Sequence, residues 1–230
     1  VTAAKKEKVL FFAHSDDRDP GTTTEFLGKK NIDYQIHHWG GLKPLPDLSE
    51  YSGLIILGGS QMVDEESIYP WLVEEKQAIR DYLKMDRPIL GICLGGQLLA
   101  EILGADVRRH DHPEVGWKVV HLDPSASPLI PEACTELKFF QWHSYRFLTP
   151  KVAKQFATND ITKDQGFVYR HNVVATQFHP EATAAWVKEC SEDTTYPNGH
   201  HVEPGEKVRA QLHLIEPMKT WYFQLLDRLF

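Results

Sequence analysis

Apolar and polar positions divide the chain into two stretches of different character. In the first, short apolar runs alternate with segments of helical period. Lys8 to Ala13, KVLFFA, reads as a buried strand, followed by a polar loop, HSDDRDPG, and by a helix over Thr22 to Lys30. Asp33 to His37 is a second strand, and Leu54 to Leu57, within GLIILGG, is a third that ends at Gly58 and Gly59. From Pro70 onward Leu72, Ile79, Tyr82 and Leu83 share one helical face. Ile89, Leu90 and Ile92 then supply a strand buried on both faces, and Leu98, Leu99, Ile102 and Leu103 a helical face that stops at Gly104. Strands alternating with helices predict an α/β fold, a single domain built on an open, mostly parallel sheet with helices on both faces. Loops at the carboxyl ends of the strands then surround a common site, which puts the glycine pair after the third strand beside the junction after Ile92.

Past Gly104 the segments are shorter and β-like: Trp117 to Leu122, Leu137 to Trp142, Gln155 to Ala157, Phe167 to Tyr169 and Val173 to Phe178. They predict a small antiparallel portion, with Asn172 turning a final hairpin. Thr183 to Cys190 reads as a helix, and Ser191 to Gly205, with Pro197, Gly199 and Pro204, as a linker or loop. Val208, Leu212, Ile215, Tyr222, Leu226 and Leu229 form one helical stripe that Pro217 is expected to kink or break. The organisation expected is a domain over 1–190 and a helical extension over 191–230 packed on it, in preference to a partner-binding helix.

Composition narrows the class. With 230 residues, 42% hydrophobic and 25% charged, the chain can bury a substantial core, and its net charge of -7 without a basic stripe argues against nucleic acid. No apolar run reaches membrane length and no signal-peptide pattern opens the chain, so no membrane is expected. Cys93, Cys134 and Cys190 are a sparse, odd set without metal spacing, which suggests a reducing, cytoplasmic setting. The histidine pairs His37-His38, His110-x-His112 and His200-His201 lack companion ligands and read as solvated.

Cys93 carries the chemistry. Gly91 and Gly95 flank it at two residues on either side, the nucleophile-elbow pattern with sulfur in place of oxygen, and a helix follows directly. Such a turn lifts the sulfur clear of the sheet to a helix N-terminus, where unpaired amides favour a thiolate; the competing reading is a small buried hydrophobe. A thiol nucleophile needs a base and the base an orienter. In His179-Pro180-Glu181 the two side chains flanking the proline project to the same side, so both can serve one site. The competing role for Glu181 is to cap a helix starting near Ala182. Gly59 and Leu94 offer backbone amides for an oxyanion.

GICLGGQLLA, taken with QFHPE, resembles the class I glutamine amidotransferases, whose triad runs Cys, His, Glu in chain order. ILGGSQMV is similar to the family's oxyanion strand, WHSY to the segment that holds the substrate's amino-acid end, and EVGW at Glu114 to Trp117 to a segment of stand-alone, GMP-synthetase-like members. The resemblance covers about Val9 to Cys190 and implies a flavodoxin-like fold, with Cys93 as nucleophile, His179 as base and Glu181 as its orienter. It implies an oxyanion side at Gly58 to Ser60, and places Gln97, Ser144 and Tyr145 on the α-carboxylate and amino group of L-glutamine. The activity implied is glutamine hydrolysis through a γ-glutamyl thioester with no metal or organic cofactor, and with an ammonia-accepting synthetase in trans as the expected partner. Cleavage of other γ-glutamyl amides or peptides, and a non-catalytic binding module, are the alternatives.

Overall fold

The computed structural model describes residues 7–14 and 19–230. The polar loop after the first strand therefore lies partly outside the described residues. The elements run β1 (Lys8–Ala13), α1 (Thr23–Lys30), β2 (Asp33–His38), β3 (Gly53–Ile56), α2 (Trp71–Lys84), β4 (Ile89–Ile92), α3 (Leu94–Ile102), β5 (Val107–Leu122), β6 (Glu136–Phe147), β7 (Lys154–Thr158), β8 (Gly166–Tyr169), β9 (Val173–Thr176), α4 (Ala184–Glu192), α5 (Gly205–Ala210) and α6 (Ile215–Leu229). They build one nine-stranded sheet in the order β2-β1-β3-β4-β9-β8-β7-β5-β6. The first five strands in that order pair in parallel, and β8, β7, β5 and β6 extend the sheet by antiparallel pairing. This is the expected α/β class, a flavodoxin-like sheet that is mixed: its parallel half carries an antiparallel limb, with four pairings of each kind.

The period of two along each strand sorts side chains into two cores. Val9 and Phe11 of β1, Ile55 of β3 and Leu90 and Ile92 of β4 face Phe26 and Leu27 of α1 and Met218, Trp221, Tyr222 and Leu225 of α6. Leu10, Phe12, Leu54, Ile56 and Ile89 face the other way, onto Leu72, Ile79 and Tyr82 of α2 and Leu98 and Leu99 of α3. Strands buried on both faces must be apolar at every position, which is why these runs stand out in the sequence.

Several expectations need correction. β5 begins at Val107, ten residues before the apolar segment at Trp117, because Val107, Arg108 and Arg109 pair with β6 and the pairing resumes at Glu114 after a register shift. Pro217 neither kinks nor breaks a helix. The break falls at Leu212–Leu214, and Pro217 sits in the first turn of α6, where an amide donor is not required. His37 is not solvated: it is 5% exposed and packs edge-on against Phe12 and Trp39, and this burial holds its imidazole below the usual range. The other pairs converge, with ring centroids of His110, His112, His200 and His201 5.4 to 6.5 Å apart, and His110 Nε2 bonds the Thr162 hydroxyl at 3.1 Å. Among the described residues no group of three or more His, Cys, Asp or Glu could hold a metal ion, and no helix is long and apolar enough to cross a membrane.

The stretch from Ser191 to Gly205 is packed down rather than loose. The Val115 amide donates to the His201 carbonyl at 3.1 Å, the Glu203 amide to the Val115 carbonyl at 3.1 Å, and Tyr196 stacks edge-on against Trp142. Glu203 accepts the Trp117 amide at 2.9 Å, which ties the segment to the middle of β5.

Candidate active site

Three adjacent parallel strands deliver the site. β3, β4 and β9 are neighbours, so their carboxyl ends bring Gly58-Gly59, Cys93 and His179 to one edge. Cys93 has φ 52° and ψ -107°, a conformation that costs a non-glycine residue about 1–3 kcal/mol. Its amide donates to the Thr176 carbonyl on β9 at 2.8 Å, and its carbonyl accepts the Gln97 amide at 2.9 Å in the first turn of α3. The flanking glycines make the turn sterically feasible. A Cβ on Gly95 would lie 2.2 Å from the Ile56 carbonyl oxygen, and one on Gly91 2.6 Å from the Gly95 carbonyl oxygen. Only hydrogens at these positions let α3 start directly beneath the sheet edge.

Behind the thiol stands a buried pair. His179 is held by its amide, which donates to the Phe140 carbonyl on β6 at 2.9 Å, and its ring packs against Trp186. Nδ1 is 2.8 Å from Glu181 Oε1. Nε2 makes no hydrogen bond, and Cys93 is close enough that its sulfur acts on the ring's charge. Burial pulls the imidazole down, but the Glu181 carboxylate, then Cys93, outweigh it and raise the group from 6.5 to about 9. Glu181 is fixed from below, since its carbonyl accepts both the Thr22 amide at 2.9 Å and the Thr22 hydroxyl at 3.2 Å. The capping role falls to Thr183, whose hydroxyl accepts the Trp186 amide at 3.1 Å at the start of α4, so Glu181 is not the helix cap.

In front of Cys93 a pocket of about 320 Å³ opens. Gly59, Ser60, Leu94, Gln97, Ser144 and Tyr145 all line it. Gly58 does not; its carbonyl turns away to His14 Nδ1 at 3.1 Å. The amides of Gly59 and Leu94 donate to no acceptor among the described residues. Gln97 Nε2 donates to the Tyr145 carbonyl at 3.1 Å and to Gln177 Oε1 at 3.3 Å, and Gln177 Nε2 lies 3.8 Å from the Cys93 sulfur. Gln61, Met62, Trp142 and His143, also on the walls, stand in the ILGGSQMV and WHSY segments without a role of their own, and sequence reasoning missed Pro113, Thr195 and Pro197. Thr195 and Pro197 come from the stretch expected to be a linker.

One wall rests on a buried carboxylate. Glu114 is fully buried, accepts Asn159 Nδ2, the Thr162 hydroxyl at 2.7 Å and Gln165 Nε2 at 3.2 Å, and faces His143 Nε2 at 3.2 Å. Desolvation alone would raise its carboxyl, but hydrogen bonding and charge from His143, with Thr162 and Asn159, hold it below the usual range. His143 Nδ1 donates to the same Tyr145 carbonyl that takes the Gln97 amide, at 3.0 Å. The EVGW segment thus bears on the pocket directly through Val115, which lines it, and indirectly through its glutamate.

Fold and site define an α/β protein with a strained thiol at the carboxyl edge of a parallel sheet, backed by a histidine–glutamate pair. The family model Glutamine amidotransferase class-I matches residues 26–188, more than half of the chain. A crystal structure of a glutamine amidotransferase from Thermotoga maritima is 33% identical, covers 97% of each chain and superposes with a TM-score of 0.87. One of a glutamine amidotransferase from Methylobacillus flagellatus is 26% identical, covers 99% of this chain and 94% of that one, and gives 0.88. The glutamine-hydrolysing GMP synthase subunit of Thermoplasma volcanium is 30% identical over 141 residues, 58% of this chain and 64% of that protein's length. The chain belongs to the class I glutamine amidotransferase family, whose members are enzymes with a cysteine nucleophile.

Proposed function

We propose that the protein hydrolyses the γ-carboxamide of L-glutamine to glutamate and ammonia through a γ-glutamyl thioester on Cys93. The observation that carries this reading is the buried His179–Glu181 pair, with Glu181 Oε1 2.8 Å from His179 Nδ1, near enough to the strained Cys93 thiol that the sulfur acts on the ring's charge. A base oriented by a carboxylate beside a strained thiol is the arrangement that nucleophilic acyl transfer requires. The sulfur attacks the amide carbon, and the oxyanion is met by the Gly59 and Leu94 amides, both free of other acceptors among the described residues. His179, held as imidazolium, gives its proton to departing ammonia. It then takes one from water, which cleaves the thioester and frees glutamate, while Glu181 stabilises the charged ring. Gln97, Ser144 and Tyr145 meet the amino-acid end of the substrate, and Ser60 lies at the oxyanion side.

The Thermoplasma volcanium relative is named as one part of a glutamine-hydrolysing synthase. That name supports a synthetase in trans as the acceptor of ammonia here. A panel of glutamine, γ-glutamyl peptides and γ-glutamyl amines, read by free ammonia or amine, tests the assignment. Glutamine turnover that disappears in Cys93→Ala is the expected result. Turnover of γ-glutamyl peptides or amines without glutamine would replace it with the broader γ-glutamyl hydrolase, and no turnover of any, with Cys93 unreactive, with a binding module.

A further inference from the structure

One buried ionisable pair has no part in the acyl chemistry. His14 and Glu75 are fully buried, with His14 Nε2 2.8 Å from Glu75 Oε1. His14 directly follows β1, and Glu75 lies on α2, so the contact bridges two elements on one side of the sheet edge. The Trp71 ring stacks on His14, and the His14 carbonyl accepts Gln61 Nε2 at 3.3 Å, so the imidazole is restrained from several directions. Its Nδ1 is 3.1 Å from the Gly58 carbonyl oxygen. A carbonyl oxygen only accepts, so Nδ1 carries the hydrogen and donates it. Glu75, bonded to the opposite nitrogen, sets the angle of the ring.

The consequence lies one atom further on. A trans peptide holds its C=O and N–H on opposite sides of one plane. Aiming the Gly58 carbonyl at His14 therefore turns the Gly59 N–H away from His14. A Gly-Gly peptide has no side chain that could itself fix that plane. Gly59 is also wedged, since a Cβ there would lie 2.8 Å from His14 Cβ and 2.9 Å from Leu94 Cδ2. His14, Gly59 and the elbow are thus in one contact, and of the two glycines Gly59 lines the pocket while Gly58 does not.

We propose that His14 and Glu75 are positioning residues for the oxyanion site: Glu75 orients His14, His14 fixes the Gly58 carbonyl, and the rigid peptide thereby presents the Gly59 N–H to the developing oxyanion. The inference rests on the thioester reading above. Neither residue touches substrate, and neither moves a proton in the reaction.

The test uses His14→Phe, which keeps a ring and removes the donor, and Glu75→Gln, which keeps the shape and removes the charge. Loss of one oxyanion donor lowers kcat by about 10²-fold, and that fall is expected in His14→Phe with KM within about threefold of the parent. Alkylation of Cys93 by iodoacetamide builds no oxyanion, so its rate should stay at the parent value in both variants. His14→Gln, whose amide can donate to the same carbonyl, should recover part of the lost kcat. An unchanged kcat in both variants overturns the proposal. So does an alkylation rate that falls in step with kcat, because the pair would then shape the thiol rather than the peptide. If His14→Phe fails to fold, Glu75→Leu, which has no atom to bond His14 Nε2, decides by the same criteria. If the parent turns over no γ-glutamyl compound, the functional reading fails first, and crystal structures of the variants decide the positioning alone: a rotated Gly58–Gly59 peptide supports it and an unmoved one overturns it.

Discussion

Replacing Glu181 by glutamine keeps the size of the side chain and removes its charge, and the geometry sets what should follow. The carboxylate oxygen is 2.8 Å from His179 Nδ1, a distance at which two unit charges attract by about 6 kcal/mol at an effective dielectric near 20. Desolvation of the fully buried ring opposes that attraction, and the balance leaves the imidazole raised from 6.5 to about 9, a net preference for the charged ring of about 3 kcal/mol. In Glu181→Gln the desolvation remains and only Cys93 opposes it. The imidazole should then fall toward the ordinary histidine range or below it.

The assay is the pH dependence of kcat/KM for glutamine. In the parent the alkaline limb should lie near 9, where His179 loses the proton it gives to ammonia. In Glu181→Gln the limb should move down by roughly two pH units, and kcat at the optimum should fall by about 10²-fold, since the amide oxygen still accepts from Nδ1. His179→Ala should retain almost nothing. Stability should follow the same titration. A group whose folded pKa is raised stabilises the fold fully below its unfolded value of 6.5, and that contribution is lost as pH rises through about 9. The gap in Tm between parent and variant should therefore be widest on the acid side of neutrality and close in alkali. An alkaline limb that stays in place in Glu181→Gln, with kcat at the parent level, would refute the reasoning.

Three further outcomes are expected. Cys93→Ala should abolish turnover with little loss of stability, and in the parent a glutamine-like chloroketone should label Cys93 ahead of Cys134, whose thiol burial pushes up, and Cys190; equal labelling of the three would count against the nucleophile. Gly95→Ala should cost at least about 3 kcal/mol in chemical denaturation, because the obstacle 2.2 Å away is the Ile56 backbone carbonyl and not a movable side chain; a loss under about 1 kcal/mol would mean that the elbow can relax. Glu114→Gln, which leaves His143 without its buried counter-charge, should destabilise by about 3 kcal/mol and raise KM more than it lowers kcat, as the Tyr145 carbonyl shared by His143 and Gln97 shifts. Its stability penalty should be present above the ordinary carboxylate range and vanish as pH falls through the depressed value of Glu114; a penalty independent of pH would exclude the ion pair as its source.

The parts of the fold that are legible in the sequence are those whose cause is local. β1, β3 and β4 are buried on both faces and so are apolar throughout, and α2 shows its stripe because one face is buried and the other is not. The first half of β5 is not legible. RRHDHPE has no alternation, and it is a strand only because β6 lies beside it, with a register shift between Arg109 and Glu114. Pro217 misleads for the opposite reason: the local rule takes no account of the helix start at Ile215, which makes the missing amide harmless.

The candidate site divides along the same line. Cys93, His179 and Glu181 carry marks in their own neighbourhoods, glycines on one and a shared proline on the others, and the fold brings the three together. The residues that support them carry none. His14 meets Gly58 and Glu75 across 44 and 61 positions, and Glu114 meets Asn159, Thr162 and Gln165 across 45, 48 and 51. Each looks like an ordinary surface polar residue until the pairing of strands is known. What singles them out is a charge in a place without water, and that property belongs to the packed molecule. A buried ionisable pair must be compensated or it destabilises the fold, so where one borders a pocket the groups compensating it are held as firmly as the core. The Gly58 carbonyl, bonded by His14, and the Tyr145 carbonyl, bonded by His143, are two such groups. The candidate site is therefore bordered by two buried ionisable pairs, each tied to a backbone carbonyl next to the pocket's own residues.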